Sequence, residues 1–139
     1  MNFAKFSEHA IPFFLSSNIM PLSMLHFKLT SILMFDVYNK SVPSNISDLF
    51  TSTQEIHQYN TRSSSSGSFY IKYTRLNHQK NSLSCIGAKI WNSIPQNLKQ
   101  FSRCRFKKKL NELLFQILQK QNSYIHTETL IKDMKKISV

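Results

Sequence analysis

The segment formed by residues 21–40, PLSMLHFKLTSILMFDVYNK, is the feature that most limits how this chain can fold. One set of its apolar residues follows helical spacing, and a second set covers the opposite side. The first set is Leu22, Leu25, Leu29, Ile32 and Leu33, and the second is Met24, Phe27, Met34, Phe35 and Tyr38. A helix that is apolar all round is buried on more than one side. Because 139 residues can hardly cover it alone, we predict that this helix packs against a larger neighbour.

A second long helix is predicted to begin at Ser102, where the apolar spacing is the most regular in the chain. Serine is a favourable N-cap residue because its side-chain oxygen can accept a hydrogen bond from a free helical N–H. The apolar positions recur with the helical period and are Phe106, Leu110, Leu113, Leu114, Ile117 and Leu118. This pattern predicts an amphipathic helix with one buried face.

A short helix is predicted just before it, in residues 88–95, and Pro95 ends it. Ile90, Trp91 and Ile94 fall on one side of this helix. We expect this side to pack against the second long helix, so Trp91 fits the core better than a base-stacking site. The predicted structural anchors are Trp91, Phe106, Leu110 and Leu113.

The fold class predicted is mainly α, a small helical domain with a short β-hairpin between the N-terminal and C-terminal helices. The hairpin is expected because FYIKY, residues 69–73, is aromatic and β-branched, and SLSCIG, residues 82–87, is typical of a short return strand. The predicted parts are 1–50, a helical segment apolar on both faces; 51–68, a polar Ser-rich loop; 69–120, a basic module of hairpin and helices; and 121–139, a weakly ordered tail.

The positive charge of the chain is concentrated in one segment. The formal net charge is +11, and residues 59–120 carry twelve Lys and Arg against one Glu, which gives +11 for that segment alone. Such asymmetry indicates a polyanionic partner, either nucleic acid or an acidic membrane face. The alternative is a solvated basic surface that only aids solubility.

The densest cationic block lies in the first two turns of the second long helix. On a helical wheel Arg105, Lys108 and Lys109 lie away from the apolar side, while Arg103 and Lys107 flank it. Cations at a helix N-terminus are locally unfavourable, and a bound phosphate relieves this strain. Upstream cations alternate with aromatic residues, a mixture that suits nucleic-acid strands. The predicted nucleic-acid-binding residues are Arg103, Arg105, Lys107, Lys108, Lys109, Lys99, Lys89, Arg75, Lys72 and Arg62.

Catalytic and metal-binding patterns are missing from the sequence. It has no paired carboxylates, no Gly-rich phosphate loop and no nucleophile motif, so we predict no enzyme and no cofactor. Cys85 and Cys104 do not form a zinc or disulfide pattern, and the histidines are scattered. No run has the roughly 20 apolar residues that a bilayer requires. We expect an intracellular protein, in the nucleus or the cytoplasm.

Several short motifs occur in a particular order along the chain. They are PL at 21–22, VYNK at 37–40, YNTR at 59–62, NSLS at 81–84, Gly87, WNSIP at 91–95 and FKKKL at 106–110. In this order and spacing they resemble the extreme C-terminal region of LINE-type (non-LTR) retrotransposon reverse transcriptases. The resemblance covers about residues 10–118 and implies a fragment that follows the polymerase palm and thumb.

The resemblance implies a function without catalysis in this chain. The parent polyprotein would be an RNA-directed DNA polymerase, but its aromatic-x-Asp-Asp metal site, its endonuclease and its zinc knuckle have no counterpart here. The leading hypothesis is a non-catalytic C-terminal module that binds RNA or DNA through phosphates. A second is a structural segment that docks on the polymerase domain without touching nucleic acid. A third is a peripheral binder of acidic membranes, which is weakened because the cations lie at one end of the helix.

Overall fold

The computed structural model describes residues 11–56, 59, 66–120 and 126–137. This part of the chain is mainly helical, as the sequence predicted. Its helices are α1 (Ile11–Ser16), α2 (Leu22–Tyr38), α3 (Ser44–Ser47), α4 (Thr53–Ile56), α5 (Asn77–Lys80), α6 (Leu83–Ser93), α7 (Gln96–Lys99), α8 (Arg103–Lys120) and α9 (Thr127–Ile137). Helix α8 begins directly after Ser102, where the sequence predicted its N-cap.

The predicted β-hairpin is wrong. Within the described residues the only β pairing is an isolated antiparallel bridge between Ser52 and Phe69. Residues 83–87 of the expected return strand form the first turns of α6, which buries Cys85, Ala88 and Trp91 on one side. Those buried positions are three residues apart, as on one side of a helix. The short segment SLSCIG, half of it Ser and Gly, does not distinguish this period from that of a strand.

Helix α2 lies at the centre of the fold, in contact with α6, α8 and α9. Its buried side contains Met24, Phe27 and Met34, each no more than 1% exposed. The leucines of the other set face outward, with Leu22 77% exposed and Leu29 57% exposed, whereas Ile32 of that set is partly buried against the core. The expectation of burial on more than one side is therefore not met within the described residues. Both sides are apolar, and the larger aromatic and methionine side chains fill the space between helices.

Helix α2 ends before Pro43, in a turn that is held by backbone hydrogen bonds. Lys40 adopts a left-handed conformation with φ of 55°. Its N–H donates to the carbonyl of Val37 at 3.0 Å, and the N–H of Ser41 donates to the carbonyl of Asp36 at 2.8 Å. This pair of hydrogen bonds satisfies the last helical carbonyls in the manner of a Schellman motif, with lysine in the place usually taken by glycine.

Helices α2 and α8 run antiparallel. Lys28 Nζ donates to Asn111 Oδ1 at 2.8 Å near one end of the pair, and Arg103 binds Asp36 near the other. From the first contact to the second, the residue number rises along α2, from Lys28 to Asp36, and falls along α8, from Asn111 to Arg103. This arrangement sets the cationic start of α8 beside the C-terminal end of α2.

Trp91 on α6 is the centre of the aromatic core and is fully buried. The rings of Phe35, Tyr38, Phe69 and Phe106 surround it, with centroids 5.2 to 6.4 Å from its own. We call these five residues the Trp91 centre. The Trp91 indole N–H donates to the carbonyl oxygen of Gly67 at 3.0 Å, so the one polar atom of the ring is satisfied.

Helix α6 approaches α2 closely because it has no side chain at Gly87. A Cβ atom at this position would lie 2.8 Å from the sulfur of Met34 and 3.0 Å from the ring of Phe50. A larger residue here would require the end of the Met34 side chain or the Phe50 ring to shift. The glycine that suggested the end of a strand thus marks a helix crossing.

The C-terminal segment is part of the core. Helix α9 contacts α6 and α2, and its Leu130 and Met134 are fully buried. Residues 127–137 therefore differ from the weakly ordered tail that the sequence predicted. Described residues from the predicted parts 1–50, 69–120 and 121–139 contribute to one hydrophobic cluster. Of the predicted loop 51–68, residues 57, 58 and 60–65 lie outside the described part.

Candidate nucleic-acid interface

The solvent-facing side of α8 carries three cations in its first two turns. Arg105, Lys108 and Lys109 are all exposed, at the positions i, i+3 and i+4 that share one side of a helix. The opposite side is buried through Phe106 and Leu110, both 0% exposed. We call Arg105, Lys108 and Lys109 the basic face. Because the apolar side of α8 is buried, the basic face points to solvent.

The basic face has little acidic compensation. Lys109 Nζ lies 2.8 Å from Glu112 Oε2, and both side chains are 56% exposed. Exposed ion pairs of this kind contribute about 0.2–1 kcal/mol, so water and salt compete with them easily. In the part of the chain that the structure describes, no carboxylate pairs with Arg105 or Lys108. Lys107, half-buried at the edge of the face, has no ion pair there either.

Arg103 has a structural partner instead. Its Nε and Nη2 atoms donate to the two carboxylate oxygens of Asp36 at 2.7 and 2.6 Å. These hydrogen bonds, with the attraction between the charges, raise the pKa of Arg103. The Asp36 side chain is only 15% exposed, so the pair ties α8 to α2 in a fixed geometry. Asp36 neutralises the charge of Arg103 and so weakens its attraction for a phosphate, although the Arg103 side chain is 57% exposed.

Lys99 also faces the protein. Its ammonium nitrogen lies 5.0 Å from the centroid of the Trp91 ring, and the residue is 8% exposed. Burial lowers the pKa of Lys99 to about 8. The contact with the aromatic face favours the charged form and offsets part of that cost. Lys99 therefore covers the Trp91 centre in this conformation.

The remaining predicted cations lie on other elements. Lys72 and Arg75 are exposed in the non-helical segment before α5. Lys89 is half-buried on α6 and lines a pocket of about 590 Å³, together with Lys80, His126 and Glu128. Arg62 lies outside the described residues.

Two features of the surface were not identified from the sequence. Asp36 is 67 positions from Arg103, and no local pattern connects them. Tyr73, at 93% exposed, is the most open of the described aromatic residues in the basic segment, whereas Phe69 and Trp91 are buried. For Trp91 the sequence did indicate burial, because Ile90 and Ile94 share its side of the helix.

Other kinds of site find no support in the described residues. No group of three or more His, Cys, Asp or Glu residues lies close enough there to hold a metal ion. Cys85 is buried, Cys104 is exposed, and both are free thiols. None of the helices in the described ranges combines the length and apolarity needed to cross a bilayer.

Compared with models of protein families, with characterised proteins and with solved structures, the chain shows no significant match to any of them. The resemblance to the C-terminal region of LINE-type reverse transcriptases therefore stays a prediction from the sequence.

Proposed function

We propose that this chain is a non-catalytic module that binds RNA or DNA through the phosphate backbone. The observation that carries the proposal is the basic face, where Arg105, Lys108 and Lys109 share one exposed side of α8. Lys107 extends it at the edge. The motif order along the chain suggests the origin of the module, the C-terminal region of a LINE-type reverse transcriptase.

The position of these cations at the start of α8 favours phosphate binding. The N-terminal end of a helix carries partial positive charge, so cations in the first two turns of α8 repel both the helix dipole and each other. Apart from Arg103, which pairs with Asp36, these cations have one carboxylate partner among the described residues, Glu112, in an exposed pair. A row of phosphates relieves this repulsion, because each cation gains a charge-assisted hydrogen bond. The resulting affinity is independent of base sequence, since phosphates carry no sequence information.

The structure narrows the set of cations that we propose for this contact. Lys99 and Arg103 are already engaged by Trp91 and Asp36, so we leave them out of the interface. Lys72 and Arg75 remain available as exposed cations. Lys89 is half-buried and makes a smaller contribution, and Arg62 stays a prediction.

The proposal is tested by charge removal at matched positions. The variant Arg105→Gln/Lys108→Gln should bind labelled RNA and DNA more weakly than the wild type, by a similar factor for every base sequence. The control Lys120→Gln/Lys132→Gln removes the same charge from exposed positions elsewhere. Equal losses in both variants would mean that net charge alone attracts the nucleic acid, and the basic face would lose its role.

A second candidate function is docking on a larger protein, and a separate observation favours it. Leu22, Leu25 and Leu29 form an exposed apolar row along α2, which we call the leucine stripe, and Ile19 beside the start of α2 is 55% exposed. An exposed apolar row of this kind is typical of a protein-binding surface. The resemblance suggests the polymerase domain of the parent polyprotein as its partner. Binding that does not weaken with salt would distinguish docking from phosphate contact.

A further inference from the structure

The segment of residues 70–76, YIKYTRL, has an unusual surface for a short connection. Four of its large side chains are exposed: Tyr70 at 41%, Ile71 at 39%, Tyr73 at 93% and Leu76 at 52%. The cations Lys72 and Arg75 lie among them and are exposed too. We call residues 70–76 the tyrosine segment. It combines aromatic rings and positive charge on the same stretch of surface.

The backbone of the tyrosine segment is anchored on the core, although its side chains face water. The N–H of Phe69 donates a hydrogen bond to Asn92 Oδ1 at 3.0 Å, and Asn92 Nδ2 donates to the carbonyl of Phe69 at 2.8 Å. The N–H of Tyr70 donates to the carbonyl of Thr51 at 2.9 Å. Farther along, the Cys85 thiol donates to the carbonyl of Lys72 at 3.8 Å. The segment is thus tied to the core at Tyr70 and, through a weak thiol contact, at Lys72, the residue before Tyr73. Such anchoring reduces the entropy lost when a ligand stacks on Tyr73.

Tyr73 is the most exposed described ring in residues 59–120. Phe69 and Trp91 are enclosed in the Trp91 centre, while the other exposed rings are less open, with Tyr59 at 82%, Tyr70 at 41% and Phe101 at 36%. A base needs an open ring face, and Tyr73 offers one. Lys72 lies one residue before Tyr73 and Arg75 two residues after it, and both are exposed.

We propose that Tyr73 is a stacking site for an unpaired base and that Lys72 and Arg75 hold the adjoining phosphates, so that the partner is a single-stranded nucleic acid. This inference rests on the proposed function and specifies its ligand. Bases in a duplex are stacked on one another and cannot reach a tyrosine ring without being flipped out. Aromatic stacking accepts any base, so sequence preference stays weak.

The test compares Tyr73→Ala with Tyr73→Phe in the full chain, each with a labelled single strand and a labelled duplex. Tyr73→Ala should lose about fivefold to 150-fold in affinity for the single strand, which is the range measured for loss of one base–aromatic stack. Tyr73→Phe keeps the ring and should bind nearly as the wild type does. Neither variant should change duplex affinity. The wild type should also bind an oligonucleotide with abasic positions as weakly as Tyr73→Ala binds the intact strand.

The outcomes separate this inference from the proposal on which it rests. If the wild type binds single strands but Tyr73→Ala binds them equally well, stacking at Tyr73 is excluded while phosphate binding by the basic face stands. If the wild type binds neither single strands nor duplexes at low salt, the proposed function itself is overturned. Because Tyr73 is 93% exposed, both variants should unfold at the same denaturant concentration as the wild type.

Discussion

Trp91 and Tyr73 are both aromatic residues beside a lysine, yet the fold uses them in opposite ways. Trp91 is fully buried, its N–H is bonded to Gly67, and the Lys99 ammonium covers its ring. Tyr73 is almost fully exposed, with Lys72 and Arg75 open to solvent beside it. In the sequence the two places look alike, because each mixes aromatic and basic residues within a few positions.

The difference shows that such mixing does not identify a nucleic-acid contact. What matters is whether the fold has already given the ring and the cation their partners. The same distinction applies on α8, where Asp36 engages Arg103 while Arg105 and Lys108 have no carboxylate in the described part of the chain. The functional proposals therefore rest on exposed cations that have no carboxylate partner in the described residues, and on Lys109, whose exposed pair with Glu112 is easily displaced by water and salt.

The largest expected change in the free energy of unfolding comes from removing the buried Trp91 ring. Trp91→Ala should lower the free energy of unfolding by about 3–5 kcal/mol, as truncation of a large buried aromatic residue does. Tyr73→Ala is the matched control and should change it by no more than about 0.5 kcal/mol. Urea denaturation of both variants measures the contrast. A Trp91→Ala chain as stable as the wild type would break the comparison, because Trp91 would then not hold the core together.

The buried Lys99 should have a smaller effect on the free energy of unfolding, and this effect depends on pH. Since burial lowers the pKa of Lys99 from 10.5 to about 8, the unfolded chain holds a proton between these pH values that the folded chain has lost. The free energy of unfolding should therefore rise with pH across this window, by up to about 3 kcal/mol. Lys99→Met should remove that rise and be more stable than the wild type at pH 7.

The measurement is the difference in unfolding free energy between wild type and Lys99→Met at several pH values, which cancels the titration of other groups. The cation–π contact with Trp91, about 0.5–2 kcal/mol, acts in the opposite direction and reduces the gain of the variant. A difference that stays constant from pH 7 to 10.5 would show that the ammonium reaches water.

Sequence reasoning succeeded where one side of a helix alone was apolar. In α8 the spacing from Phe106 to Leu118 leaves a single side for the core, so the exposure of Arg105, Lys108 and Lys109 followed from the pattern. It failed in α2, where both sides are apolar and only the packing of the other helices decides which one is buried. Leu22 and Leu29, expected on a packed face, are exposed for that reason.

Long-range contacts account for the remaining differences. The partners Asp36 and Arg103 are far apart in the chain, so no local signal assigns them to each other. Burial of Lys99 likewise depends on the position of Trp91 in three dimensions. In residues 83–87 the local pattern was too short to separate strand from helix, and the crossing at Gly87 depends on Met34 and Phe50 of distant segments.

The smallest effect on stability is expected at the leucine stripe. Substitution of Leu22, Leu25 and Leu29 by Gln should change the free energy of unfolding little, because these side chains are exposed. The wild type should self-associate and bind a hydrophobic dye through this surface, and the variant should do neither. Light scattering and dye fluorescence measure both. A wild type that is strictly monomeric and binds no dye would contradict the docking surface.

Salt dependence of nucleic-acid binding tests the central claim most directly. The logarithm of the association constant should fall linearly with the logarithm of salt concentration, by about 0.7 per phosphate neutralised on a single strand. Lys108→Gln/Lys109→Gln should flatten that slope by about two such units, while Lys120→Gln/Lys132→Gln keeps the wild-type slope. Neither variant should alter the fold, since all four side chains are exposed. A wild-type slope in Lys108→Gln/Lys109→Gln would contradict phosphate contact at the basic face, and docking through the leucine stripe would become the leading account.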